Sequence, residues 1–447
     1  MKVYIWIVAL IFCSCSTQKN TQQNQNSNQL HHVLVGAVTS DQATIVVQTT
    51  QPTKFRLFVR EVFKQQTVFE KLMSSTSDGK NLVKTEIKGL QPGVRYQYTL
   101  TGNKNEIWAE GVFTTFPNNA ASYKVVFGSC QQTGSESPVF AQMLKENPLF
   151  YLQIGDLHYE NIDDRCMVRF DSAYHEVFSS KAQKGLYQNV PLVYMWDDHD
   201  YGANNSDANN PCRTTAIKQY KSYIPHYPLA FEGETAPISQ VFDVGRVTYV
   251  LADMRSQKIP PTYDECQRLT RGTNFGNEDH LNWFFTTLLE AKKKGHVVFW
   301  INSYPWINAP GGPNYKCGEK DNWGGYPEER NRIADFIKNN NIPVCILSGD
   351  AHMVAMDDGT NSDYATSGGA PVRVFHAAAI DRPGSYKGGP YSQGYSREEG
   401  QFGVIEVVDE GDNNICFVWY ARNVDGKAVV NQEGNEIRLE FCVTIEK

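Results

Sequence analysis

Residues 190–201 read VPLVYMWDDHDY. Val190, Leu192, Val193, Tyr194, Met195 and Trp196 form an apolar run of β-branched and aromatic types, the signature of a buried strand. Asp197, Asp198, His199 and Asp200 follow at once. The strand thus ends in carboxylates packed together where a buried sheet meets a loop. Like charges at that spacing repel unless a cation neutralises them, and a bound metal is the strongest local cation a protein can hold. The stretch predicts a buried sheet with a metal site at its carboxyl edge.

Working outward, the same texture recurs. KVVFGSC (124–130), FYLQIGD (150–156), VTYVLAD (247–253), VVFWINS (297–303) and PVCILSGD (343–350) read as buried strands. Helical patterns alternate with them at 137–147, 180–186, 277–294 and 327–340. Such alternation implies a layered α/β domain over residues 119–447. Strands at 372–377, 402–408, 415–420 and 438–445 look antiparallel and are expected to complete a second sheet.

Ligands of open α/β sheets bind beyond the carboxyl ends of the strands. Here those ends carry Cys130; Asp156, His158 and Tyr159; the cluster at 197–200 with Asn204 and Asn205 after it; Asn302 and Ser303; and Asp350 and His352. A lone Cys or a single Gly-Asp is weak evidence, since both serve turns. Together they are hard to explain by packing, because buried carboxylates without a cation are costly.

Before this domain, residues 31–118 show short alternating strands separated by turn residues, which predicts a small β-sandwich. Leu90, Pro92, Gly93, Tyr96 and Tyr98 resemble the strand corner of fibronectin type III or Ig-like modules, where Tyr96 packs and hydrogen-bonds. With no cluster of titratable groups, the segment reads as a spacer or a wall of the site.

The formal charge of −7 argues against a basic nucleic-acid-binding face. Residues 1–15 pair a basic start with a short apolar run ending at Ser14 and Cys15, the pattern of a lipoprotein signal with acyl attachment at Cys15. The Asn/Gln-rich stretch 16–30 reads as a disordered tether. An extracytoplasmic, membrane-anchored lipoprotein, in the periplasm or at the cell surface, is therefore expected, and as a monomer. Ten cysteines in an oxidising compartment should mostly pair. The expected pairs are Cys166 with Cys212, Cys266 with Cys317, and Cys416 with Cys442, although other connectivities satisfy the same count. Cys345 reads as a buried core thiol.

GDLHYE (155–160) resembles the GDxxY element of purple acid phosphatases. In order, FGSCQ, GDLHYE, WDDHDYGANN, DNWGGYPEERNRI and SGDAH resemble the alkaline phosphatase D (PhoD-like) metallophosphatases. The resemblance implies a four-layer, calcineurin-like β-sandwich flanked by helices and preceded by the small all-β domain. It also implies hydrolysis of phosphomonoesters or phosphodiesters by metal-activated hydroxide. Carried over, it places Fe3+ on Cys130, Asp156, Tyr159 and His352. Ca2+, or another divalent metal, would sit on Asp156, Asp198, Asp350 and Asn204 or Asn205. His199 would contact phosphate or protonate the leaving group, oriented by Asp200. Arg255 is expected to bind phosphate or to form a core salt bridge. Asn302, Ser303 and His158 are further candidate contacts to a small phosphate ester. The competing expectation is an inactive cell-surface binding protein built on the same fold.

Overall fold

The computed structural model describes residues 29–264, 268–270, 272–308 and 321–445. Among them, strands assemble chiefly into a nine-stranded and a seven-stranded sheet, with a four-stranded sheet from the N-terminal region. The expected signal, Cys15 and the tether up to residue 28 lie outside the described residues, as do Cys266 and Cys317, whereas Leu30, assigned to the tether, begins a strand. Cys166–Cys212 and Cys416–Cys442 are disulfide-bonded, and Cys130 and Cys345 are buried free thiols.

The nine-stranded sheet is centred on three parallel strands, Tyr123–Gly128, Phe150–Ile154 and Leu192–Met195. In the seven-stranded sheet Val247–Leu251, Val297–Ile301, Val344–Ser348 and Arg373–Ala377 also run parallel. Strand alternation explains the layering. Val297, Phe299 and Ile301 belong to the core between the sheets, whereas Val298 and Trp300 face the helices Glu278–Lys293 and Pro327–Asn339, with Phe284 lying 4.7 Å from Trp300. The inter-sheet core is aromatic, with Phe127 on Phe375 at 4.7 Å and Phe299 on Phe417 at 5.2 Å. On the outer face of the first sheet, Tyr151 meets Tyr187 of Lys181–Asn189 and Tyr194 meets Tyr220 of Arg213–Tyr223. The domain is therefore a four-layer α/β sandwich.

Two sheet assignments differ from the sequence expectation. Arg373–Ala377 is parallel to Val344–Ser348, with Cys345 opposite Arg373. Gln401–Val408, Asn414–Asn423 and Arg438–Thr444 are antiparallel but extend the first sheet, Gly403 pairing with Phe127. Arg373–Ala377 and Gln401–Val408 are buried on both faces nearly throughout and carry no alternation to reveal which neighbour they choose.

The N-terminal strands do not stand apart. Leu30–Gly36 pairs in parallel with Leu192–Met195 at Gly36 and Leu192, so Leu30–Gly36, Gln42–Thr49 and Leu82–Lys88 continue the nine-stranded sheet. A Cβ on Gly36 would come within 2.4 Å of the Leu192 carbonyl oxygen, so the seam needs glycine there. The opposing sheet holds Lys54–Glu61, Gln66–Ser74, Arg95–Thr101 and Ile107–Thr114. At its corner the Tyr96 hydroxyl accepts the Gln91 N–H at 2.9 Å, and the Tyr98 hydroxyl donates to the Gln188 carbonyl at 2.9 Å.

Candidate metal centre

The strand ends turn sharply. Cys130, Asp156, Asp350 and His352 all have positive φ, between 47° and 58°, a region that costs non-glycine residues energy and is held only where surrounding contacts enforce it. The glycine of each Gly-Asp pair has a steric cause. A Cβ on Gly155 would lie 2.3 Å from the Asp197 Cβ, and one on Gly349 would lie 2.3 Å from the Ile154 carbonyl oxygen. The turns touch one another, and that contact brings the donors together.

One donor group comprises Cys130, Asp156 and His352, each offering an atom within 4.8 Å of the others. The Cys130 Sγ lies 3.3 Å from Asp156 Oδ2. The Tyr159 hydroxyl lies 2.6 Å from the same oxygen and 2.8 Å from His352 Nε2. His352 Nδ1 is 2.9 Å from the Pro383 carbonyl, which accepts its proton and leaves the Nε2 lone pair facing the group. Burial pushes the Cys130 thiol well up, reinforced by Asp156. It does the same to the Asp156 carboxyl, reinforced by Asp198, Asp197 and Asp200. Without a cation this pocket favours protons over charge.

A second group comprises Asp197, Asp198 and Asp350, and a third joins Asp156 to Asp198 and His199. Asp156 is thus shared between the two sides. Four carboxylate oxygens, Asp156 Oδ1, Asp197 Oδ2, Asp198 Oδ1 and Asp350 Oδ2, are buried without a hydrogen-bond partner among the described residues. Unsatisfied oxygens that converge in this way fit the demand of metal ions. The thiolate, phenolate and imidazole side suits a transition metal, and the carboxylate side a hard cation.

His199 packs its ring 4.2 Å from the Tyr159 ring, its Nδ1 2.7 Å from Asn161 Oδ1 and its Nε2 3.9 Å from Asp198 Oδ2. Asn161 is held in turn by donating its amide to the Tyr159 carbonyl at 3.1 Å. The expected orienter, Asp200, is used elsewhere. It accepts the Leu157 N–H at 2.9 Å, the Tyr194 hydroxyl at 2.6 Å and the Asp197 N–H at 2.7 Å, capping the short helix Asp198–Tyr201.

Several other expected contacts are also redirected. Arg255 is fully buried and donates Nε to Asp197 and its terminal nitrogens to Asp321, with Asp198 3.7 Å away. Lys258 joins it on Asp321. Arg255 is thus the core salt bridge of the two readings, and no fork is left for phosphate. Burial would raise the Asp198 carboxyl, but Arg255 and then His199 hold it below the usual range. Ser303 donates to Asp197 at 2.7 Å, and the Asn302 amide bridges the Tyr304 carbonyl and Trp323 Nε1; both side chains are buried and occupied, not free for substrate. His158 points away, packing on Phe170 and Tyr174, and burial lowers its pKa to about 3. Asn205 gives its backbone N–H to Asp198 Oδ2 at 2.6 Å; no side-chain hydrogen bond of Asn204 or Asn205 reaches the group among the described residues. Asp197, without a role in the sequence reading, joins the carboxylate group.

A family model described as PhoD-like phosphatase matches residues 125–402. The chain belongs to the PhoD-like phosphatase family. It is 26% identical over 317 residues to alkaline phosphatase D of Bacillus subtilis (strain 168), covering 60% of this chain and 53% of that protein, so the match spans about half the relative's length. A solved structure of PhoD superposes with a TM-score of 0.69 at 18% identity, over 92% of this chain and 94% of that one. The purple acid phosphatase PPD1 from yellow lupin (Lupinus luteus) seeds gives 0.59 at 11% identity, over 92% and 74%. At such identities both show the fold alone.

In this PhoD-like chain the sequence reading missed Asn161, Arg382 and Lys387. Lys387 donates to Asp350 Oδ1 at 2.6 Å. Burial alone would lower its pKa, but Asp350 and Asp321 raise it, so the ammonium stays charged. The Arg382 guanidinium carbon lies 4.0 Å from the Tyr159 ring centroid. Both basic residues sit in the Gly/Pro-rich segment after Arg373–Ala377, which has no periodicity to mark it. It is stitched to the site through Asp381 N–H on the Cys130 carbonyl and Ser385 N–H on the His352 carbonyl.

Proposed function

We propose that the protein is a metal-dependent phosphoric-ester hydrolase acting outside the cytoplasm. The observation that carries this reading is the set of four buried carboxylate oxygens, without a hydrogen-bond partner among the described residues, that converge beside Cys130, Tyr159 and His352. Cys130, Asp156, Tyr159 and His352 suit iron, and Asp156, Asp197, Asp198 and Asp350 suit calcium or another hard divalent ion. When bound, such metals supply an activated hydroxide and offset charge on a phosphoryl group. The chain's own residues do the rest. Asn161 fixes the His199 ring so that Nε2 faces the carboxylate group, where it can hold a proton at the ester's phosphate or leaving oxygen. Arg255 balances Asp197 and Asp198 from behind and holds Asp198 below the usual carboxylate range, whereas burial still raises Asp197, which a bound cation would bring to its charged form. The disulfides Cys166–Cys212 and Cys416–Cys442 support an oxidising compartment. Among the described residues no helix is long and apolar enough to cross a membrane, so attachment rests on the proposed lipid at Cys15. The β-rich residues 31–118 serve as a wall bonded to the catalytic sheet.

The test is metal analysis of purified protein with nitrophenyl phosphate as substrate. Bound iron with a visible charge-transfer band, lost in Cys130→Ala together with activity while the fold persists, is the expected result. Full activity in Cys130→Ala, or hydrolysis without any metal, overturns the assignment.

A further inference from the structure

Among the described residues, four lysines and arginines lie around the metal centre, and three are committed. Arg255 and Lys258 are buried on Asp197 and Asp321, and Lys387 holds Asp350. Arg382 differs. Among the described residues it makes no ion pair or hydrogen bond, and its Nε is shut off from solvent without a partner. Its neighbour Asp381 feels its charge but makes no ion pair with it, the carboxylate being engaged by the Gln132 N–H and the Ser135 hydroxyl.

Its position is set by stacking. The guanidinium carbon lies 4.0 Å from the centroid of the Tyr159 ring, and the His199 ring lies 4.2 Å from the same centroid. Two groups that close to one ring must occupy opposite faces. The Tyr159 hydroxyl sits among Asp156 and His352, 2.6 and 2.8 Å away. Arg382 and His199 therefore flank the donor group from the two sides of one aromatic plate. A guanidinium bound over a ring through its carbon has its N–H groups left for an anion, and that fork matches two oxygens of a phosphate.

We infer that Arg382 is a substrate-binding, specificity-determining residue that selects phosphomonoester dianions over phosphodiesters; this rests on the hydrolase reading above. A monoester offers three terminal oxygens and two negative charges near neutral pH, a diester two oxygens and one charge. An uncommitted fork beside the site meets the additional charged oxygen of the monoester. In a diester the second ester group takes that place and brings no charge to the fork.

The experiment compares Arg382→Gln and Arg382→Lys with the wild type on nitrophenyl phosphate and bis-nitrophenyl phosphate. Metal content and calorimetric binding of inorganic phosphate are measured on the same preparations. Losing a charge-assisted contact is expected to lower kcat/KM for the monoester about 30-fold and for the diester no more than about threefold, and to weaken phosphate binding about tenfold. Arg382→Lys should recover part of the monoester loss through its charge. Equal losses on both substrates, or loss of bound metal, overturn the inference and make Arg382 a support for Tyr159. If the metal-loaded wild type hydrolyses neither ester, the hydrolase reading fails. The selectivity inference then falls with it, and phosphate calorimetry separates the two failures: weaker binding in Arg382→Gln leaves Arg382 an anion contact, and equal affinity removes that as well.

Discussion

His32 lies in Leu30–Gly36, fully buried against Phe178 and Tyr223 with ring centroids at 5.2 and 6.3 Å. Neither ring nitrogen has a partner among the described residues. Burial lowers its pKa to about 3, helped by His31, His175 and Lys184. The unfolded chain takes up a proton near pH 6.5 and the folded chain does not until about pH 3, so folding stability falls as pH drops through that window. At one pKa unit per 1.36 kcal/mol, the loss from this residue at pH 5 is about 2 kcal/mol. Phe in its place keeps an aromatic body between Phe178 and Tyr223 and removes the titration. His32→Phe should therefore gain about 2 kcal/mol over the wild type on going from pH 8 to pH 5. Denaturant unfolding with disulfides intact, at both pH values, measures that difference. A gap between the two proteins that does not change with pH would refute the assignment of a neutral, unpartnered imidazole.

Two further expectations concern the site. Arg255→Met leaves Asp197, Asp198 and Asp321 without their main buried cation and should cost the metal-free protein about 3–5 kcal/mol. Added divalent metal should then raise its melting temperature more than the wild type's, and wild-type melting in the absence of metal would contradict the network. Asn161→Ala frees His199 Nδ1 and should lower turnover about tenfold with metal content unchanged. Unaltered turnover on nitrophenyl phosphate would show that Asn161 does not orient the imidazole.

The donors were legible because each lies directly after a strand whose apolar run is unmistakable, and strands of a parallel sheet end on one edge. What surrounds the donors was not legible, because it depends on approaches between turns distant in sequence. His158 follows Asp156 so closely that it looks like part of the site, yet the positive φ of Asp156 turns the chain and sends the imidazole toward Phe170. Asn161 and Arg382 reach His199 and Tyr159 only through tertiary contact. Asp200 did carry a readable signal. It stands three residues after Asp197, the spacing of a capping box, and that spacing assigns it to the helix start rather than to the imidazole. The strand partners at 372–408 were obscured for a different reason, since a strand buried nearly throughout pairs according to global topology and not its own pattern.

The seam between Gly36 and Leu192 bears on the order in which the chain becomes a protein. Leu30–Gly36 is made before Leu192–Met195, and one side of it meets that strand only at Gly36 once Leu192 has followed. The early strands can pair among themselves and still present an open edge, the kind of surface that invites wrong partners. The residues that close that edge belong to the strand that leads into Asp197 and Asp198. Closing that edge at Gly36 and placing those carboxylates therefore depend on the same strand, so a change that displaces Leu192–Met195 disturbs the seam and the metal centre together.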